Sequence, residues 1–99
     1  MNIDYNCDII KVNYVLVEDQ LYYVIKNIEY NYIGTEKTTQ TKFEIPGNVD
    51  LLKPNPKSFI TKEDVKKQDY IDWMVAAGLS FDYLNEIIKY EIYRIVANN

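Results

Sequence analysis

The sequence predicts an α+β fold: a three- to four-stranded antiparallel meander followed by two C-terminal helices packed on one sheet face. Two observations predict this class. Apolar and polar residues alternate through the first half of the chain, and apolar residues recur at helical spacing in the C-terminal part. Strands that come first and helices that follow are typical of α+β domains. At 99 residues we expect one domain, with an N-terminal segment at 1–8, the sheet at 9–52, a proline-containing connector at 53–60 and a helix pair at 61–97.

The first strand is predicted over residues 9–17, where apolar and polar side chains alternate. Alternation of this kind is typical of a strand with one buried face. The polar stretch 18–20 then forms a turn. The face that we expect to be buried consists of Ile10, Val12, Tyr14 and Leu16.

The second and third strands are predicted over residues 21–33 and 38–46. The second is rich in β-branched and aromatic residues, but its faces are ambiguous, and a bulge near Lys26 and Asn27 would exchange them. Gly34 is expected to open the hairpin loop. Pro46 lacks an N–H and is expected to end the third strand. A short edge segment with Val49, Leu51 and Leu52 would be the fourth strand.

Two helices are predicted after a connector stiffened by Pro54 and Pro56. Thr61 is expected to cap the first helix, Gly78 to terminate it, and Ser80 to cap the second. The apolar stripe of the first helix consists of Tyr70, Trp73, Met74 and Ala77, and that of the second of Phe81, Leu84, Ile87, Ile88, Ile92 and Ile95.

The residue types needed for common catalytic sites are missing. The chain has no histidine, one cysteine (Cys7) and three glycines. Histidine is the commonest general base near neutral pH and the commonest metal ligand. We therefore expect no enzyme, no cofactor, and no catalytic or metal-binding residue. Asp69 and Asp72 are neighbours on the first helix, but we interpret them as part of a solvated face, because calcium needs six or more oxygen ligands.

The net charge of −4 is concentrated in one half of the chain. Residues 1–50 hold eight acidic and four basic side chains, and residues 51–99 hold seven of each. Direct nucleic-acid binding is not expected, since proteins of that class show a basic face. No apolar run approaches the roughly 20 residues of a membrane span, so we expect no membrane partner either. The partner expected is a protein, and a homo-oligomer remains open.

Surplus aromatic residues indicate a protein-binding surface. Tyrosine and arginine are enriched at interface hot spots, and Tyr83, Tyr90 and Arg94 form a stripe beside the apolar one. Glu91 falls inside the apolar stripe, and three interpretations of this position are open. Its carboxylate contacts a partner chain, accepts a hydrogen bond from a tyrosine hydroxyl, or lies at the edge of the stripe and is hydrated. The tyrosines alternatively pack against the sheet edge, and an AT-rich codon bias enriches tyrosine regardless of binding. The candidate partner-binding residues are Tyr22, Tyr30, Tyr32, Tyr83, Tyr90, Glu91 and Arg94.

The stretch from Ile33 to Trp73 resembles a family of small uncharacterised proteins of tailed bacteriophages. That family carries a Gly-Thr hairpin, a Val-x-Leu segment, a Pro-Asp-Pro-x-x-Phe connector and Glu-Asp-Leu before a helix with tryptophan. The corresponding residues here are Ile33-Gly34-Thr35-Glu36-Lys37, Val49-Asp50-Leu51, Pro54-Asn55-Pro56-Lys57-Ser58-Phe59, Glu63-Asp64-Val65 and Trp73. This chain departs from the family at Lys37, where a turn glycine is usual, and at Tyr70, where an aliphatic residue is usual.

The resemblance implies origin in a phage genome and supplies no active-site residues. Together with the missing catalytic set, it leads us to expect a non-enzymatic structural or interaction protein of a phage. A capsid-decorating or head–tail joining subunit of the virion is the leading hypothesis. The alternative is a protein that acts in the host cytoplasm and inhibits a host factor, because clustered carboxylates can imitate nucleic-acid phosphates at a basic site.

Overall fold

A computed structural model describes residues 2–18, 20–51 and 64–98, except the side chain of Tyr22. Three antiparallel strands form one sheet in the order β1-β2-β3, and two helices that pack on the sheet follow. This confirms the predicted α+β class. The connector at 53–60 and the proposed cap Thr61 lie outside the described residues. The elements are β1 (Ile3–Glu18), β2 (Leu21–Glu36), β3 (Lys42–Asp50), α1 (Lys67–Ala76) and α2 (Phe81–Ala97).

The chain divides into two compact units, and the prediction of a single domain stays a prediction. The first unit consists of Met1–Asp8, Tyr30–Gly47 and Ser80–Asn99, and the second of Ile9–Glu29 and Asn48–Leu79. The first unit therefore contains α2, and the second contains α1.

The core of the first unit lies between β2 and α2. Ile88 and Ile92 of α2 are fully buried, and the stripe predicted for this helix is the face that packs inward. Ile88 packs directly on Gly34. A Cβ atom at position 34 would overlap Cγ2 of Ile88. Tyr32 is also buried and stacks on Phe81 with ring centroids 5.0 Å apart.

The core of the second unit contains the fully buried Val24, Ile28 and Met74. Met74 belongs to the stripe predicted for α1, and its neighbours Tyr70 and Trp73 make an edge-to-face contact with centroids 5.9 Å apart. Edge-to-face pairs of this kind add stability beyond the area that they bury.

β1 is longer than predicted and begins at Ile3. The N-terminal segment 1–8 was expected to precede the sheet, but Cys7 lies in the strand and is buried. Tyr5 stacks against Tyr32 with centroids 6.2 Å apart. The missed signal is the alternation of apolar and polar residues that already begins with Ile3 and continues through Tyr5 and Cys7.

Side chains of β1 change faces along the strand. In the first unit Tyr5, an odd-numbered residue, shares a face with Tyr32, an even-numbered residue of β2. In the second unit Asn13 bonds Asn27 and Glu29, so odd residues face odd residues. An extra residue between positions 5 and 13 accounts for this change, as in a β-bulge.

β2 does not change faces, so the bulge predicted near Lys26 and Asn27 is wrong. Even-numbered residues from Val24 to Glu36 lie on the buried side. Lys26 is tolerated on that side because its ammonium group bonds both oxygens of Glu18 at 2.9 Å. The side chain of Lys26 is also 37% exposed, so its charge stays in contact with solvent.

Gly34 lies inside β2 and does not open the hairpin loop. The turn instead spans residues 37–39 and is organised by Glu36. The Glu36 carboxylate accepts hydrogen bonds from the backbone N–H groups of Thr38, at 2.9 Å, and Thr39, at 3.1 Å. These bonds, that from Thr38 foremost, lower the pKa of Glu36.

β3 continues through Pro46 to Asp50, beyond its predicted end. Proline is tolerated here because β3 is an edge strand. Gly47 follows, and a Cβ atom there would lie 2.7 Å from Cζ of Tyr30. Within the described residues Val49 belongs to β3, so the separate fourth strand is not found.

The predicted roles of Gly78 and Ser80 are confirmed, whereas the N-cap of α1 is Lys66 and not the predicted Thr61. α1 begins at Lys67, later than predicted, and Asp69 accepts the backbone N–H of Lys66 at 2.8 Å. Gly78, with φ of +114°, follows α1 in a left-handed conformation that glycine favours. Ser80 accepts the N–H of Tyr83 at 3.2 Å and caps α2.

Candidate interaction surfaces

An exposed aromatic surface runs along α2. Tyr83, Tyr90 and Tyr93 each expose about two-thirds of their area. Tyr90 and Arg94 lie seven and eleven residues after Tyr83, which brings all three near one line on a helix, and Tyr93 lies beside them. We call Tyr83, Tyr90, Tyr93 and Arg94 the tyrosine surface of α2. Tyrosine offers a large, amphipathic contact area at low cost in side-chain entropy.

Glu91 holds the charged end of this surface in place. An Nη2 hydrogen of Arg94 is donated to a Glu91 oxygen over an N–O distance of 2.6 Å. The side chain of Glu91 is 22% exposed and that of Arg94 is 59% exposed. The hydrogen bond raises the pKa of Arg94, so the guanidinium stays charged. Of the alternatives for Glu91, the structure shows a partly exposed carboxylate, and its partner is Arg94 instead of a tyrosine hydroxyl.

The three candidate tyrosines of β2 are placed differently. Tyr30 and Tyr32 are buried within the first unit, which corrects their assignment to a partner-binding face. The Tyr32 hydroxyl donates to Asn85 Oδ1 at 2.6 Å, and burial, more than the nearby Cys7, raises the pKa of Tyr32. Tyr22 belongs to β2, but its side chain lies outside the described part. Among the tyrosine side chains of β2 that the structure describes, Tyr23 is exposed, at 39%.

A second exposed apolar surface lies on β1, in the second unit. Ile10, Tyr14 and Leu16 were predicted to be buried and are instead 62%, 49% and 63% exposed. On the opposite face, Val15 and Val17 are 39% and 56% exposed. We call these five residues the β1 strip. The alternating pattern was read correctly as a strand, but its apolar side chains stay partly exposed, and Tyr14 contacts the ring of Tyr23 with centroids 5.6 Å apart.

A polar network in the second unit lies on the face of β1 that also carries Val15 and Val17. Asn13 donates to Asn27 and to Glu29, in each case at 3.0 Å. Asn27 donates to Asn48 at 3.2 Å and to Asp50 at 2.8 Å. The network joins all three strands, and its carboxylates are engaged by amide groups. Within residues 2–18, 20–51 and 64–98, no group of three or more metal-ligating side chains comes together.

Sequence reasoning missed three members of these surfaces. Tyr93 lies one helical turn from Tyr90, and the same stripe argument would have found it with a wider stripe. Val15 and Val17 lie on the strand face opposite to the one that was expected to be buried. The pattern therefore predicted that they point outward, but not that they form part of an apolar surface. Among the described helices, none has the length and hydropathy needed to cross a membrane.

No family model, no curated protein and no solved structure matches this chain.

Proposed function

We propose that this protein is a non-enzymatic interaction protein that binds a protein partner through the tyrosine surface of α2. The observation that carries the proposal is the exposure of Tyr83, Tyr90 and Tyr93, at 67%, 67% and 65%, on a helix whose opposite face fills the core. A surface helix packs on the core through one apolar stripe, and its opposite face is usually polar. Aromatic side chains placed outward offer contact area to another molecule.

The charge arrangement of this surface favours a protein partner. Arg94 presents its guanidinium at the rim while Glu91 fixes its position. An arginine that is already ordered loses less side-chain entropy when it binds. Tyrosine and arginine are both among the residue types enriched at protein–protein hot spots.

The partner that we propose is a capsid or tail protein of a phage, with this chain as a capsid-decorating or head–tail joining subunit. The support is the resemblance carried by the residues between Ile33 and Trp73, together with the small core and the tyrosine surface. The direct test is mass spectrometry of purified particles from a phage that encodes the chain. Recovery in the particle at a fixed ratio to the capsid protein is expected, and absence from the particle would reject the virion role.

The surface itself is tested by substitution in the same phage. Tyr90→Ala is expected to lower incorporation into particles at least tenfold, the loss expected when a hot-spot residue worth over about 1.4 kcal/mol is removed. Lys89→Ala is the matched control, because Lys89 is its exposed neighbour on α2 but lies outside the tyrosine surface. Equal incorporation of the two variants would refute the assignment of the surface.

A host-factor inhibitor is the second candidate, and the acidic side of the sheet favours it. Glu29 and Asp50 lie on one face of the second unit, in the half of the chain that carries the net charge of −4. A carboxylate surface of this kind suits a basic site on a host protein. Glu29→Gln with Asp50→Asn is expected to abolish capture of such a protein in a pull-down. Recovery of phage structural proteins alone would count against inhibition.

A further inference from the structure

Two side chains of opposite charge flank Tyr90 along the exposed side of α2. Glu86 is exposed four residues before Tyr90, and Arg94 is exposed four residues after it. From the helical period, both side chains project within about 40° of the direction of Tyr90. The helix dipole favours a base near the C-terminal end, but it does not account for Glu86, which lies beyond the first turn of α2. Within the described residues, no salt bridge engages Glu86.

A large and a small side chain flank Tyr90 in the same regular way. Tyr83 lies seven residues before it and Ala97 seven residues after it, each within about 20° of the same direction. Both are exposed, Tyr83 at 67%. The N-terminal half of this surface therefore offers a ring and a carboxylate, and the C-terminal half offers a methyl group and a guanidinium.

We propose that α2 pairs with α2 of a second copy of this chain, the two helices running antiparallel about a twofold axis at Tyr90. Residues equally far from Tyr90 in opposite directions then lie at the same level. This inference rests on the proposed function, since it assigns a second occupant to the same tyrosine surface. The dimer keeps that surface covered until a phage protein displaces one copy. Contacts in which the same patch serves both chains are the commonest in oligomers.

The charges of α2 select a second copy and its direction. Glu86 of each chain comes level with Arg94 of the other, so the contact contains two pairs of opposite charges. A parallel pair would instead place Glu86 against Glu86 and Arg94 against Arg94, and like charges in contact oppose association. Arg94 has donors to spare, because Glu91 of its own chain engages Nη2 and a guanidinium carries five N–H donors.

The shapes of the side chains fit the same arrangement. At the axis the ring of Tyr90 meets the ring of Tyr90 of the second copy, and aromatic pairs add stability beyond the area that they bury. Tyr83 of each chain comes level with Ala97 of the other, whose small side chain leaves room for the ring.

The size of the contact predicts a weak dimer. α2 has 17 residues and is therefore about 25 Å long. One face of a helix of this length offers less than the roughly 800 Å² per partner that stable complexes bury. The net charge of −4 on each copy also opposes association. We therefore expect the dimer to form at millimolar concentration and to dissociate on dilution.

The test is the mass in solution as a function of concentration, measured by sedimentation equilibrium on the full chain. Glu86→Lys brings a positive charge level with Arg94, and Arg94→Glu brings a negative charge level with Glu86. Each variant alone should therefore associate at least about tenfold more weakly than the wild type. An equimolar mixture of the two variants should associate about as well as the wild type, because opposite charges then meet at both contacts.

Lys89→Glu is the matched control for Arg94→Glu. Lys89 is exposed on the same helix and lies outside the tyrosine surface, and the change of charge is the same, so association should be unchanged. Folding of each variant is checked by far-ultraviolet circular dichroism of the dilute monomer. If Arg94→Glu is unfolded, Tyr90→Glu replaces it, because it places two carboxylates together on the axis and should also abolish the dimer.

A wild-type chain that stays monomeric at millimolar concentration overturns the self-pairing. So does a mixture of Glu86→Lys and Arg94→Glu that associates no better than either variant, a Lys89→Glu chain weakened as much as Arg94→Glu, or a dimer that survives Tyr90→Glu. None of these results decides whether a phage protein binds the surface, which the incorporation of Tyr90→Ala and Lys89→Ala into particles tests separately.

Discussion

Gly34 and Ile88 provide the sharpest test of the packing of α2 on β2. A methyl group at position 34 would overlap Cγ2 of Ile88 and would lie 3.3 Å from Cγ2 of Ile3. Ile88 is fully buried, and its Cγ2 is bonded directly to Cβ, so this methyl group is not the far end of a flexible side chain. Overpacking of this kind costs about 1–3 kcal/mol, and the lost flexibility of the unfolded chain returns about 0.4–1 kcal/mol. We therefore expect Gly34→Ala to lower the free energy of unfolding by about 1–2 kcal/mol.

The assay is urea denaturation followed by circular dichroism, with thermal unfolding as a second readout. At this chain length a loss of 1–2 kcal/mol corresponds to a fall in melting temperature of roughly 5–15 °C. The control is the double variant Gly34→Ala with Ile88→Ala. Ile88→Ala alone should cost about 2–5 kcal/mol, but in the double variant the new methyl group occupies part of the vacated space. The two losses should then fall short of adding by about 1 kcal/mol. Strict additivity, or a Gly34→Ala chain as stable as the wild type, would refute the packing of Ile88 on Gly34.

Three further predictions concern local contacts. Ser80→Ala removes the cap of α2 and should cost about 1 kcal/mol in urea denaturation, whereas Ser80→Asp, which keeps an acceptor, should cost far less. Glu36 has a lowered pKa, so its contribution to stability should be complete above the ordinary carboxyl range and lost as the pH falls through the lowered value. The difference in free energy of unfolding between wild type and Glu36→Gln should therefore shrink between pH 6 and pH 3, roughly the range that brackets a carboxyl titration. A difference that stays constant over this range would contradict the prediction. Tyr32 has a raised pKa, so its contribution should be complete below the ordinary phenol range and lost as the pH rises through the raised value. Titration by ultraviolet absorbance should show one fewer late-ionising phenol in Tyr32→Phe, and an unchanged titration curve would contradict its burial.

Local signals were sufficient to predict α2 and the end of α1, but not the start of α1 at Lys67. The spacing of Leu84, Ile88 and Ile92 fixed the buried face of α2, and all three are buried. Ser80 and Gly78 act through neighbouring backbone, so their roles as cap and terminator could be predicted from sequence alone.

Long-range contacts explain what the sequence did not predict. Gly34 was expected in a loop, but its lack of a side chain makes room for Ile88, which is far away in the sequence. Pro46 was expected to end β3, and whether a strand tolerates proline depends on its place at the sheet edge. The exposure of Leu16 was missed because alternation shows that one face of a strand is apolar but does not show whether another element covers that face.

Of the candidate partner-binding residues, those on α2 could be predicted from local geometry, whereas those on β2 depend on long-range contacts. Tyr83 and Tyr90 could be assigned to an outward surface because helical geometry fixes their direction once the inward stripe is known. Tyr30 and Tyr32 could not, because both faces of β2 begin with apolar residues and only the position of α2 decides which one is buried.

The amide network of the second unit has a consequence for how the strands align during folding. A slip of β1 by two residues would keep every side chain on its own face, so apolar burial alone barely distinguishes such a misaligned hairpin from the native one. The slip would, however, carry Asn13 away from either Asn27 or Glu29, depending on its direction, and break at least one of the two bonds. Asn27 connects the same network to Asp50, so a single amide side chain in the central strand selects the alignment of both its neighbours.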